Sequence, residues 1–192
     1  VDLWPDLLQH PAEPPLLLRR SQVPASTWAG LLADAAYRPL TATVALRADA
    51  PDDAATRAIA LASHIPDRAV LGLRSAAWVH AGGTAVEAPR RLELLVPPGA
   101  RRVDPTLDQV SHEATLTTDE VVMIGGRRVT TPTRTLLDLG LSPRAEGLRP
   151  VLERLCAVGA DPSAAMTRLA TMPRRPGGRR ARALLTTLCS SS

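Results

Sequence analysis

Apolar residues recur every three to four positions in several stretches and alternate in others, which predicts helices mixed with short strands. Leu3, Leu7 and Leu8 give a first helix over 2–10, ended by Pro11, Pro14 and Pro15, since proline has no place in a helix interior. Residues 16–23 predict a second short helix, closed by Pro24. A third starts with Ser26 as its cap and runs to about Ala36, with Trp28, Leu31 and Leu32 on one face. Residues 38–40 and 43–46 then predict two short strands around a tight connection. Three helices followed by a hairpin is the order of a winged helix-turn-helix.

Beyond a polar joint at 48–53, Asp52 or Asp53 caps a helix reaching about His64. The pattern then becomes mixed. Strands are expected over 69–71, 92–96 and 110–114, and a helix over 73–80 ending at Gly82 and Gly83. Residues 121–124 and 127–129 form a hairpin with Gly125 and Gly126 at the turn positions that need positive φ. Pro132 opens a helix over 132–139 that ends at Gly140, proline being tolerated at the first helical position. Helices over about 143–158, over 162–171 and after Gly178 complete the chain. The fold class is α+β: a winged-helix-like domain over 1–50, a connecting helix over 51–66, and over 67–192 a small mixed sheet packed with helices and a basic helical tail.

At 192 residues, 45% of them hydrophobic and 22% charged, the chain can bury a real core. No apolar run is long enough to predict a membrane span. Cys156 and Cys189 form no C-x-x-C pair and suit a reducing compartment, so a cytoplasmic location is expected. All 23 basic residues are arginine, and lysine, asparagine and phenylalanine are missing. A GC-rich codon bias explains that without any functional cause. The position of the charge says more: residues 1–66 carry a net −2, 67–143 balance, and 144–192 carry a net +6.

Catalysis finds no support in the residues. A restriction-like nuclease needs clustered carboxylates with a nearby lysine, and there is no lysine. Asp104, Asp108, Glu113, Asp119 and Glu120 read as a solvated acidic patch. His10, His64, His80 and His112 lack metal-ligand spacing, and His80 reads as a core or capping histidine. Neither G-x-S-x-G nor a phosphate-cradling glycine loop occurs. No enzyme activity, cofactor or metal is therefore expected.

Two regions could bind nucleic acid. In the first, Ser26 and Thr27 open a candidate recognition helix, with Arg19, Arg20, Ser21 and Gln22 before it and Arg38 and Arg47 around the hairpin. The second is the densest positive run, Arg174, Arg175, Arg179, Arg180 and Arg182, able to dock phosphates or an acidic protein surface. The alternative for the first region is a shape used for packing or for a protein partner, which its net negative charge favours.

The stretch from Val70 to Gly82 with Ser75, Trp78 and His80, the strand and Pro-Pro-Gly turn over 92–99, and the run from Gly126 to Leu139 containing Thr130, Thr131, Arg134 and Asp138 resemble the C-terminal domain of AbiEi-like antitoxins. The residues themselves read as fold determinants: Trp78 fills the core, Thr130 or Thr131 caps a helix, and Arg134 and Asp138 are spaced for an i,i+4 ion pair. The resemblance implies a winged helix that binds operator DNA and represses its own operon. It also implies a domain that counteracts a nucleotidyltransferase toxin of a bacterial type IV toxin–antitoxin system. In a related group the same module precedes a restriction-like endonuclease domain, and residues 178–192 resemble the junction before it. That leaves a protein-interaction accessory module, without DNA-binding activity of its own, as the alternative function.

Overall fold

The computed structural model describes residues 14–61, 65–66, 68–84, 87–100, 109–143, 147–172 and 176–190; the first helix expected over 2–10 lies outside them. In chain order it contains β1 (Leu17–Arg19), a 3-10 turn (Arg20–Gln22), α1 (Ala25–Ala33), β2 (Tyr37–Pro39), β3 (Val44–Arg47) and α2 (Ala54–Leu61). There follow β4 (Val70–Leu71), α3 (Leu73–Ala81), β5 (Leu92–Val96), β6 (Gln109–Glu113), a further 3-10 turn (Thr118–Glu120), β7 (Val121–Ile124) and β8 (Arg127–Thr130). Helices α4 (Pro132–Leu141), α5 (Arg149–Ala157), α6 (Pro162–Thr171) and α7 (Gly178–Cys189) end the chain. The class is α+β, with one three-stranded and one five-stranded sheet. The chain divides into two compact units, the boundary falling between Ala50 and Pro51.

In the first unit β3 is the central strand, paired antiparallel with β1 on one side and β2 on the other. The helix expected over 16–23 is thus not formed. Eight residues between prolines are too few to sustain a helix in water, whereas pairing Leu17 with Leu46 and Leu18 with Ala45 satisfies the backbone and buries Leu18. The following helix also starts earlier than expected. Pro24 occupies the capping position of α1, its carbonyl accepting the Trp28 N–H, and Ser26 sits exposed inside the first turn with no capping bond. Trp28, Leu18, Tyr37 and Ala45 form the core of this unit, and the Tyr37 hydroxyl donates to the Pro15 carbonyl at 2.8 Å. The β2–β3 connection is closed by Thr41 Oγ1, which accepts the N–H groups of Thr43 and Val44.

The sheet of the second unit runs β6-β5-β4-β8-β7, parallel between β5 and β6 and between β4 and β8, antiparallel elsewhere. Leu94, Leu71 and Val129 stand in register across its three middle strands and are fully buried. Gly125 and Gly126 occupy the β7–β8 turn with φ of 55° and 72°, as the hairpin requires. Helix α4 packs against α3, α5, α6 and α7. Leu136, Leu137, Leu152, Leu155 and Leu185 fill that helical core.

Helix ends follow local chemistry. Asp53 accepts the Thr56 N–H at 2.8 Å and caps α2, and Thr131 caps α4 through Arg134 N–H. Arg57, buried on α2, closes the far end of α3: its Nε donates to Val79 O at 3.0 Å and its Nη2 to His80 O at 3.4 Å. Those carbonyls have no partner within the helix, and a cation there complements the helix dipole. Gly140 does not end α4 as the sequence suggests. The helix continues to Leu141, and a β-carbon at Gly140 would meet Ala181 Cβ of α7 at 3.4 Å, an ordinary contact distance. Helix α5 begins at Arg149, later than the expected 143, after Gly147 turns the chain with φ 78°.

Candidate functional site

Three of the arginines named from sequence sit on the framework of the first unit. Arg38 is half-buried on β2 and donates to the Ala50 carbonyl at 3.0 Å. Arg47 pairs with Asp49 at 2.6 Å and also donates to the Pro14 carbonyl at 2.9 Å. Arg19 ends β1, half-buried, its backbone N–H held by Gln22 Oε1. Arg20, Ser21 and Gln22 are exposed on the 3-10 turn, and the Arg20 N–H fastens that turn to Thr43 O at 2.9 Å. Ser26 and Thr27 are exposed one turn further on, together with Ala29, Gly30 and Ala33 of the same helix. The exposed stretch of the first unit is therefore one cation with a row of hydroxyl, amide and very small side chains. It presents donors and close backbone approach rather than dense charge.

Of the basic tail, Arg174 and Arg175 lie outside the described residues, while Arg179, Arg180 and Arg182 fall in the first half of α7. Arg180 Nη2 donates to the Ser142 carbonyl at 2.7 Å, just past the end of α4. Arg179 and Arg182 are exposed.

The expected Arg134–Asp138 pair is present, Arg134 Nε lying 3.0 Å from both carboxylate oxygens. It belongs to a larger network that the sequence did not reveal. Glu120, expected on a solvated patch, is only 7% exposed and joins Arg134 Nη1 at 2.7 Å through one oxygen and Arg168 Nε at 2.8 Å through the other. Its Oε2 also accepts the Thr117 N–H at 2.9 Å. Burial pushes the Glu120 carboxyl up, but the hydrogen bonds from Arg168, Thr117 and Arg134 outweigh it and bring the pKa down to about 2. Burial likewise disfavours charge on Arg134, and Asp138 and Glu120 together raise its pKa. Asp104 and Asp108 lie outside the described residues, and Glu113 and Asp119 are exposed. The signal that could have located Glu120 is Thr117 three residues before it, the spacing of a capping box.

His80 holds a structural place. Its Nε2 lies 2.6 Å from the Thr130 carbonyl, and burial first, then the Arg57 charge, lowers its pKa against that hydrogen bond. A neutral ring donates that bond, since a carbonyl can only accept. Thr130 and Thr135 share a buried hydroxyl contact at 2.7 Å. Trp78 is 3% exposed in the core. The Cys156 thiol is pushed up by burial and by the charges of Cys189 and Glu153, the reverse of an activated nucleophile. Among the described residues no three metal-ligating side chains converge, and no helix is long and apolar enough to cross a membrane.

Two concavities mark the second unit. A groove of about 470 Å³ runs along Val70, Leu95, Leu116, Val121 and Met123, with Arg68 and Arg128 among its lining. A cavity of about 380 Å³ is lined by residues of α3 and α5 together with Gly82 and residues 87–90.

Comparison with known proteins gives three findings. The search of curated proteins returns no match. Among solved structures the chain is similar to the RV2827C protein from Mycobacterium tuberculosis, at 17% identity and a TM-score of 0.48, covering 90% of this chain and 72% of that one. Residues 68–187 match the model of the AbiEi antitoxin C-terminal domain, and with that match spanning the sheet and helices of the second unit the chain belongs to the AbiEi antitoxin family.

Proposed function

We propose that the protein is a non-enzymatic antitoxin that also regulates its own operon, its first unit reading operator DNA and its second counteracting a nucleotidyltransferase toxin. The observation that carries this reading is the AbiEi antitoxin C-terminal domain over residues 68–187. The first unit supports the DNA half. We read the order strand, turn, helix and hairpin, with sheet order β1-β3-β2, as winged-helix-like, with α1 as the proposed reading helix and the β2–β3 connection as the proposed wing. The N-terminal turn of α1 favours a phosphate through its free N–H groups, and Ser26, Thr27 and Arg20 are exposed beside it. The small residues Ala29, Gly30 and Ala33 let the helix backbone approach a groove closely.

The test is binding of the purified protein to its own upstream DNA across a salt series, beside a scrambled duplex. The reading expects selective binding whose affinity falls only modestly with salt, because each neutralised phosphate contributes a slope of about −0.9 in log–log form and the first unit exposes few cations. Equal binding to both duplexes removes the regulator half.

A second reading rests on Arg179 and Arg182, exposed in the first half of α7. It is sequence-independent contact with nucleic acid or an acidic surface, in which Arg179→Ala with Arg182→Ala weakens binding to every sequence alike and flattens the salt dependence.

A further inference from the structure

The sequence holds two cysteines, Cys156 and Cys189, and both thiols are free and partly buried. The fold brings them from distant parts of the chain to one corner, where α5 turns into α6. Cys156 stands in the last turn of α5, and its carbonyl accepts the Gly159 N–H at 3.0 Å as the chain reverses. The Ala160 N–H to Leu155 carbonyl bond, 2.9 Å, tightens that reversal, and Asp161 then caps α6 through the N–H groups of Ser163 and Ala164. Cys189 ends α7, and its Sγ lies 3.6 Å from Ser163 Oγ in that same first turn of α6. One helical turn earlier, Thr186 Oγ1 meets Met166 Sδ at 3.7 Å, so the last stretch of α7 runs along α6 towards the corner.

The packing beneath the thiols is shared. Leu155 of α5, Ala160 of the corner and Leu188 of α7 belong to one buried cluster, and Cys156 packs against it. Charge reports the same proximity. After burial, a negative charge on Cys189 does most to push the Cys156 thiol up, ahead of Glu153, which stands one helical turn away on the same helix. Coulomb energy falls with distance, so the Cys189 sulfur is a near neighbour of Cys156. A disulfide needs the two β-carbons about 3.5–4.5 Å apart, and the end of a helix is where such an adjustment is cheapest, because its last carbonyls have no intrahelical partner to lose. Burial and the neighbouring negative charges keep Cys156 protonated, which suits it to the second step of an exchange rather than the first.

We propose that Cys156 and Cys189 form a redox-modification site, which a low-molecular-weight disulfide closes into an intramolecular bridge tying the end of α7 to α5. The Cys189 thiolate attacks one sulfur of the oxidant, forming a mixed disulfide and releasing one thiolate. Cys156 then gives its proton to water and attacks the Cys189 sulfur, expelling the second thiolate. Two protein thiols are oxidised to one disulfide, and the oxidant is reduced to two thiols. The test equilibrates the full chain in glutathione buffers of graded oxidised-to-reduced ratio, traps it with iodoacetamide, and reads intact mass without reductant. The expected product is a monomer lighter by two hydrogens with neither cysteine alkylated, melting roughly 5 °C above the reduced chain. The effective concentration of the pair should be at least about tenfold higher in the folded chain than in guanidinium, a comparison that needs no variant. Cys156→Ser should stop at a single glutathione on Cys189. One glutathione on each cysteine of the parent overturns the proposal, as does a bridge formed only between chains. So does an effective concentration that is the same folded and unfolded.

Discussion

The two units use the same residue in opposite ways. In the first, Arg38 and Arg47 lie at the surface of a three-stranded sheet and brace the chain through the carbonyls of Ala50 and Pro14. In the second, Arg57 and Arg134 are buried, one closing a helix and the other holding two carboxylates. A chain with 23 arginines and no lysine thus spends much of its positive charge on its own architecture. Among the described residues, the exposed arginines not given such a role include Arg20 beside α1, Arg74 and Arg90 at the cavity, Arg91, and Arg179 and Arg182 on α7. Total charge was a poor guide to function here. The partner of each guanidinium is a better one.

The sharpest way to break this contrast is to remove one arginine of each kind. Arg134→Ala leaves Glu120 and Asp138 buried with a missing counter-charge, and truncating one member of such a network costs about 3–5 kcal/mol. Arg47→Ala, whose Asp49 partner is 69% exposed, should cost within about 1 kcal/mol. Chemical denaturation of both variants measures the difference, and equal losses would dissolve the distinction.

Acid provides an independent handle on the same network. Glu120 has a folded pKa of about 2 against an ordinary value of 4.5, so its contribution is fully present above pH 4.5 and is lost as pH falls towards 2. The shift corresponds to something on the order of 3 kcal/mol at neutral pH. Glu120→Gln should be less stable than the parent at pH 7 and should flatten the stability profile across that acid window. A parent profile with no slope between those values would place the carboxylate in a weaker environment.

Much of this was legible in the sequence, and the failures share a cause. Strand β5 and helix α6 lie where the pattern put them, because an apolar run closed by Pro97 and Pro98 and a Pro162 helix start are local signals. The Gly125–Gly126 turn and the Arg134–Asp138 pair are local too, one set by φ and the other by the spacing of one helical turn. Strand β1 and Glu120 differ from the sequence pattern because what decides them lies far away in the chain: Ala45 and Leu46 for β1, Arg134 and Arg168 for Glu120. The cavity too left no local trace, since Arg74 of α3 and Arg154 of α5 reach its wall through the packing of those two helices.

A smaller effect is expected at the β7–β8 turn. At Gly125, with φ 55°, an added β-carbon would stand 2.6 Å from the Ala55 carbonyl oxygen on α2. Gly125→Ala therefore strains both the turn and its packing on α2, at a cost of about 1–3 kcal/mol. At Gly126, with φ 72° but open space around it, the same change should cost less, and thermal denaturation of the pair separates conformational strain from collision.

The smallest expected change has the opposite sign. Arg179 lies in the first turn of α7, where the helix dipole already presents positive charge, and it has none of the anchoring that ties Arg180 to Ser142. Replacing it by an acid, Arg179→Glu, should stabilise the second unit by about 0.3–1 kcal/mol. Where a surface charge serves a partner, stability gained by replacing it is commonly offset by lost function. If Arg179 faces a polyanionic partner, the variant will be more stable and will bind nucleic acid more weakly, with a shallower salt slope. If it gains stability and any nucleic-acid binding is untouched, the surface of α7 is ordinary solvated helix, and the proposed DNA contact rests on the exposed groups around α1.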